Sequence, residues 1–315
     1  MNTAVSNNRL KRFARLKLFF ALSRTPHGLL DMATPGLAAL LWLGEFPPLE
    51  TIAVGLITAF AGYTAVYALN DLVDYRIDRQ KLRAGGFQDS RNYLDAAIIR
   101  HPLAQGLLTV KEASLWAAAW SVVALAGAFH LNPVCVLIFL GGCTLEVVYC
   151  LMWKVTPYRN LVAGMVKNCG PIAGVLAVDR DPSLFFMVLL FLWLFSWEIG
   201  GQNIPNDWAE IEEDKQLRAR TMLVRYGGAK AGTIVLGCMV FAVGLNLWLF
   251  SVSIGRPALP YVAVGFVIGL LLLLQPAYRL FKSRAGQDAL TLFKKASYYP
   301  LACLILVSIS ILVGH

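Results

Sequence analysis

Long apolar runs separated by short charged segments dominate the chain. They fall at 29–44, 51–69, 113–129, 133–152, 161–178, 184–203, 231–253, 258–276 and 297–313. Most approach the roughly 20 residues an α-helix needs to cross about 30 Å of hydrocarbon, and two fall a little short. The pattern predicts nine membrane-spanning helices, because a backbone surrounded by lipid must satisfy its own hydrogen bonds.

The basic residues test that count, since Lys and Arg collect in loops on the cytoplasmic side. With the N-terminus placed inside, the segment before span 1 and those after spans 2, 4, 6 and 8, with Lys167 of span 5 counted to that side, hold 26 of the 28 Lys and Arg. Only Arg180 and Arg256 fall outside. The expected fold class is therefore an all-α polytopic membrane protein of nine transmembrane helices, N-terminus cytoplasmic and C-terminus out.

Composition agrees: the chain is 57% hydrophobic and 15% charged, with a mean hydropathy of +0.61. Its 315 residues divide into a cytoplasmic or interfacial segment, 1–25, and one transmembrane domain, 26–315. In the first segment Leu10, Phe13, Leu16, Phe19 and Phe20 share a side, which predicts a helix lying in the membrane surface. Residues 18–22 are too short an apolar stretch for a cleavable signal. The net charge of +9 belongs to the cytoplasmic face, where it favours anionic lipid and an anionic substrate, with no call for nucleic acid. The six cysteines lie in or beside apolar runs without metal-binding spacing and read as buried free thiols.

Against this background one polar pattern occurs twice, 136 positions apart. Asn70-Asp71-Leu72-Val73-Asp74-Tyr75-Arg76-Ile77-Asp78 and Asn206-Asp207-Trp208-Ala209-Glu210-Ile211-Glu212-Glu213-Asp214 both read N-D-x-x-[D/E]-x-x-x-D. On a helix, acids at i, i+3 and i+7 fall within an arc of about 60°. Each stripe begins where an apolar run stops. A stripe of acids at a helix end is ordinarily just solvated, but two copies at the same kind of boundary point to a shared site. Clustered carboxylates need something positive between them, and hard oxygen ligands suit Mg²⁺ carrying a diphosphate.

Other polar residues interrupt the spans. Asp31 sits in the first turn of span 1, where an acid is ordinary. Lys167 lies well inside span 5, where it must pair or reach the interface. Glu198, Gln202 and Asn203 form a polar ladder in span 6, with Gly200-Gly201 and Pro205 loosening the helix. Lys154 and Arg159 flank Pro157 near the cytoplasmic surface. Residues 79–101 make a long polar loop, a lid or a linker, in which 89–99 predicts a short amphipathic helix. Spans 7–9 read as scaffold and lipid boundary.

The motifs resemble those of the UbiA superfamily of intramembrane prenyltransferases. The first stripe is similar to that family's N-D-x-x-D-x-x-x-D motif, and Asn206–Gly227 to its second Asp-rich motif. Arg24–Gly28 resembles its R-x-x-K-P-x-G opening, Pro102–Gly106 its R-P-L-x-x-G element, and Tyr149–Lys154 the Tyr and Lys before span 5. The resemblance implies helices around a central cavity in a bacterial inner or cell membrane, with the active site facing the cytoplasm. It implies that Asp71, Asp74, Asp78, Asp207, Glu210 and Asp214 hold Mg²⁺ and the diphosphate of an isoprenyl donor. Asn70 belongs to that set, Lys154 contacts the diphosphate, and Arg24 and Lys215 are further contacts. Glu198, Asn203 and Tyr149 are candidates to orient or deprotonate an acceptor. Asp71, Asp74, Asp207 and Lys154 are the expected catalytic residues.

Two departures bear on the acceptor. Twenty-three residues separate Asp78 from Pro102, and His101 stands where the family's motif has Arg, one position after Arg100. The expected reaction is transfer of a polyprenyl group to an aromatic quinone precursor like 4-hydroxybenzoate. A terpene cyclase acting on the diphosphate alone and a lipid-diphosphate carrier are the alternatives. A carrier would place charges in several midplane helices, whereas here the acids gather at one face.

Overall fold

The computed structural model describes residues 15–84, 99–253 and 259–314, and every regular element among them is helical. A short helix α1 (15–22) leads into α2 (Thr25–Asp31) and α3 (Ala33–Leu43), which meet at Met32. Next come α4 (Leu49–Arg83), α5 (Val110–Leu131), α6 (Pro133–Leu151), α7 (Arg159–Val178) and α8 (Leu184–Trp197). A π-helical turn, Glu198–Asn203, joins α8 to α9 (Ile204–Ala209), and α10 (Ile211–Gln216) follows. The chain closes with α11 (Met222–Val252), α12 (Leu259–Gly269), α13 (Gln275–Ser283) and α14 (Gly286–Val313).

Among the described residues eight helical segments are long and apolar enough to cross a membrane. The ninth predicted stretch, 29–44, divides between α2 and α3 and is not one of them. The predicted surface helix at 8–24 is described only from residue 15, where α1 occupies 15–22, and all but the last residue of the helix predicted at 89–99 lies outside the described residues.

Turn chemistry sets the boundaries. Thr109 and Glu112 cap α5 reciprocally: Glu112 N–H donates to Thr109 Oγ1 at 3.2 Å and Thr109 N–H to Glu112 Oε2 at 3.0 Å. Asn132 ends α5 and caps α6, accepting from Val134 N–H at 3.0 Å, with Pro133 at the first helical position. Gly44 closes α3 with φ 70°, a left-handed conformation that glycine adopts without strain.

Length decides where the first acidic stripe lies. At 1.5 Å per residue the 35 residues of α4 run about 52 Å, well beyond the hydrocarbon thickness. Asn70 is 21 residues beyond Leu49, so the stripe emerges where the membrane ends. The outer faces of the helices remain apolar, with Leu56, Ile57, Leu115, Val122, Phe129 and Leu137 all more than half exposed. Lipid is the solvent that tolerates such a surface.

The interior is packed around the α8 aromatics. Trp193 and Trp197 are buried among Leu190, Met239, Tyr299 and Cys303. Trp197 Nε1 donates to the Ala296 carbonyl at 3.0 Å, tying α8 to α14. The π turn is pinned there too: Gln202 Nε2 donates to Phe293 O at 3.3 Å and accepts from Ser297 Oγ at 3.1 Å. Gly200 permits the turn to approach α11, since a Cβ there would lie 2.5 Å from Cys238 Cβ.

Two expectations change here. All six cysteines are free, but Cys143, Cys169 and Cys238 are only partly buried, and Cys169 lines the central cavity. The last span is more than scaffold, since Phe293, Leu304 and Ser308 of α14 line the central cavity.

Candidate active site

The helices enclose one large cavity of about 610 Å³. Its mouth is polar, carrying Asn70, Asp74, Asp78, Lys81, Arg100, His101, Arg159 and Glu210. Deeper, its wall is apolar, with Leu40, Ile52, Val66, Ile138 and Phe139 among others. Between the two lie Asp31, Tyr67, Lys167 and Glu198.

The two stripes meet at the mouth because cations from distant segments hold them together. Lys81 Nζ, one turn past Asp78, donates to Glu210 Oε2 at 2.7 Å and lies 3.6 Å from Asp214 Oδ1. Arg100 also donates to Glu210. Burial works against the Glu210 carboxylate, but these two cations hold its carboxyl well below the usual carboxylate range. Arg159 Nη2 donates to Asp207 Oδ1 at 2.5 Å, and its guanidinium sits 4.9 Å above the Tyr149 ring. On the first stripe, Arg24 Nη2 donates to Asp71 Oδ1 at 3.0 Å and to Asn70 Oδ1 at 2.9 Å. Asn70 passes the chain on, donating to Glu146 Oε1 at 2.6 Å.

His101 closes this arrangement from the segment that follows the long loop. Its Nδ1 lies 2.9 Å from Asp78 Oδ2 and 3.4 Å from Asp71 Oδ1. The position is anchored by Leu103 and Leu108, which pack with Leu22, Ala68 and Ala113. Burial disfavours the imidazolium, yet the charges of Asp78 and Asp71 outweigh it and push His101 up to about 9.

Deeper in the cavity, Lys167 Nζ donates to Asp31 Oδ2 at 2.7 Å and lies 3.7 Å from Glu198 Oε2. Tyr67 also donates to Asp31, and His27 Nε2 is 3.8 Å away. Asp31 is thus buried in the cavity wall, which corrects its reading as an ordinary acid at a helix start: the break at Met32 turns it inward. Lys167 pairs and does not snorkel.

The predicted residues are therefore brought together unevenly. Asn70, Asp74, Asp78, Arg24, Tyr149, Glu198, Asn203 and Glu210 line the cavity, and Asn203 Nδ2 donates to Tyr149 OH at 3.2 Å. Asp71, Asp207 and Asp214 are buried directly behind, in ion pairs with lining or neighbouring cations. Lys154 is exposed, its ammonium 5.3 Å above the Trp153 ring, and is not among the lining residues. Lys215 is likewise exposed and donates to Glu212 at 2.9 Å. The second stripe is not one continuous helix: Glu210, with φ −107° and ψ 15°, separates α9 from α10. Lys81, Arg100, His101 and Arg159 are the residues that sequence reasoning left out of the site.

The residues present fit a divalent cation. Asp71, Asp78 and His101 each offer a ligand atom, and the three atoms lie within 4.8 Å of one another. Asp74 Oδ1, between them on the same helix, is buried without a hydrogen-bond partner, as are Asp207 Oδ2 and both Asp214 carboxylate oxygens. Buried carboxylate oxygens left unsatisfied are costly, and a metal ion would relieve that cost.

The UbiA prenyltransferase family model matches residues 32–298. The chain belongs to this family. As a UbiA family member it is a prenyltransferase embedded in the membrane. It is 26% identical over 80% of its length to a digeranylgeranylglyceryl phosphate synthase of Pyrococcus horikoshii, covering 84% of that protein. It is 25% identical to a 4-hydroxybenzoate octaprenyltransferase of Aromatoleum aromaticum, with 74% of each chain covered. In fold it is similar to a UbiA homologue from Archaeoglobus fulgidus bound to DMAPP and Mg²⁺, with TM-score 0.62, 18% identity, and 91% and 99% of the two chains covered.

Proposed function

We propose that this enzyme transfers a polyprenyl group from its diphosphate to an aromatic quinone precursor of the 4-hydroxybenzoate kind, within the membrane. One observation carries the reading: two acidic stripes converge on the polar mouth of a cavity whose deeper wall is apolar. The diphosphate sits among the acids with Mg²⁺, Arg24 and Arg159, and the tail lies along the apolar wall. Metal and guanidinium groups stabilise charge building on the leaving diphosphate. The apolar wall keeps water from the electron-poor carbon that results.

The acceptor is held by Tyr149, Asn203 and Glu198, one helical turn or more beneath the mouth. Their place below the diphosphate end favours an acceptor over the cyclase reading, which would need no hydrogen-bonding groups there. A single domain over 26–315, nine spans, a cytoplasmic N-terminus and a cytoplasm-facing mouth in a bacterial membrane complete the reading. The distribution of Lys and Arg supports that orientation.

The test is incubation of the lipid-reconstituted protein with Mg²⁺ and radiolabelled geranyl, farnesyl or geranylgeranyl diphosphate, with and without a pool of phenolic acceptors. Label joined to an acceptor only when the pool is present is the expected result. A cyclic hydrocarbon or alcohol formed without acceptors would overturn it.

A further inference from the structure

We propose that His101 is a metal ligand, so that the ion of the first stripe is held by Asp71, Asp78 and an imidazole together. The inference rests on the proposed function only in placing a divalent ion at this stripe; it changes which ions the site prefers.

The geometry gathers three ligand atoms within 4.8 Å of one another. Metal–oxygen and metal–nitrogen bonds near 2.1 Å put neighbouring ligand atoms about 3.0 Å apart in an octahedron and about 3.4 Å apart in a tetrahedron. His101 Nδ1 stands 2.9 Å from Asp78 Oδ2 and 3.4 Å from Asp71 Oδ1, so both acids lie within the range of separations that ligands of one ion adopt. All three residues are less than a tenth exposed. They approach from two separate elements, α4 and the segment after the long loop, as a preorganised site requires. His101 is anchored by the burial of Leu103 and Leu108 and takes a left-handed backbone conformation, φ 50°. Asp78, Asp74 and His101 line the cavity, so the opposite face of the ion opens toward the donor's diphosphate oxygens.

The chemical consequence is selectivity. A site of carboxylates alone suits Mg²⁺, whereas an imidazole adds affinity for borderline ions such as Co²⁺ and Zn²⁺. The imidazole therefore shifts the stripe's selectivity toward those ions relative to a site of carboxylates alone, while leaving it able to hold Mg²⁺.

The experiment titrates the chelator-stripped full chain, in detergent or lipid, with Co²⁺ alone, following its visible absorption, and measures Mg²⁺ by competition. His101→Ala should weaken Co²⁺ by at least about tenfold while moving Mg²⁺ by less than about threefold, so the shift toward Co²⁺ is lost. Asp78→Asn should weaken both ions. Thermal melting of the metal-free variants separates ligand loss from misfolding. An unchanged Co²⁺ affinity and spectrum in the His101→Ala protein overturns the assignment, and so does an equal loss of both ions. Because no prenyl donor enters the titration, absence of turnover would defeat the proposed function and leave this inference standing.

Discussion

Lys81 lies in the last turn of the helix that carries one acidic stripe, and its ammonium bonds Glu210 of the other at 2.7 Å. This contact spans 129 positions of sequence and sets the distance between the two halves of the mouth. Both side chains are about a tenth exposed, so the pair is screened little by solvent. Lys81→Met leaves Glu210 and Asp214 with one fewer cation in a buried setting, and breaking such a pair costs about 3 kcal/mol. The expected result is a clear drop in melting temperature with a larger fall in activity. A variant that melts like the parent would show that the bridge does not hold the mouth together.

Asp71→Ala and Asp207→Ala each remove one stripe's buried acid. Turnover should fall by at least about a hundredfold in either, the scale on which preorganised charge contributes to a transition state. Circular dichroism should report an unchanged helical fold. Near-normal turnover in both variants would remove the paired-stripe site.

Arg159 and Lys154 are five residues apart and separate the two faces of one loop. Arg159→Ala, which strands buried Asp207, should lose most activity and weaken donor binding. Lys154→Ala, on the exposed face, should keep both within about threefold, as surface substitutions do. Donor titrations on the two variants decide; a reversed order would restore the diphosphate role expected of Lys154.

His101 makes the metal-free protein pH-dependent. Its folded pKa is raised, to about 9 from the ordinary 6.5, so the stabilisation is complete below 6.5 and disappears as pH rises through about 9. Its size is about 3 kcal/mol. Melting of the chelator-treated protein from pH 6 to 10 should show this decline, and His101→Gln should flatten it. Parallel curves for the two proteins would deny the ion pairs.

Asp31 and Lys167 form a pair buried within the apolar bundle. Asp31→Asn and Lys167→Met should each destabilise the protein strongly, whereas the double variant should lose less than the sum, since neither charge is then left alone. A double-mutant cycle on melting data checks this, and simple additivity would contradict it.

The membrane class, most spans and both stripes were legible because each depends on residues close together in sequence. Apolar runs declare their own lengths, and i, i+3, i+7 spacing declares a face. What the sequence hid were the partners of the acids. Lys81, Arg100, His101 and Arg159 read as loop or topology charges until packing brings them to Glu210, Asp214, Asp71, Asp78 and Asp207. Arg159 and Lys154 look equivalent beside Pro157; only the direction in which α7 starts turns one inward. Asp31 and Lys167 were each visible as oddities, but nothing local pairs residues 136 positions apart. The His101 departure from the family motif was the one local signal of the missing ligand set.

The π turn at Glu198–Asn203 acts as a register shifter. Nine residues of plain α-helix would point Glu198 and Asp207 about 180° apart, one into the cavity and the other toward lipid. A π turn absorbs one extra residue, which swings everything beyond it by roughly 100° and brings the two onto neighbouring sides. One inserted position therefore lets a single span serve both the polar ladder within the bundle and the acidic stripe at its mouth. Deleting one glycine of Gly200-Gly201 would let the segment close into plain α-helix with the stripe still facing the cavity, whereas holding every residue of the turn in α geometry would rotate the stripe away.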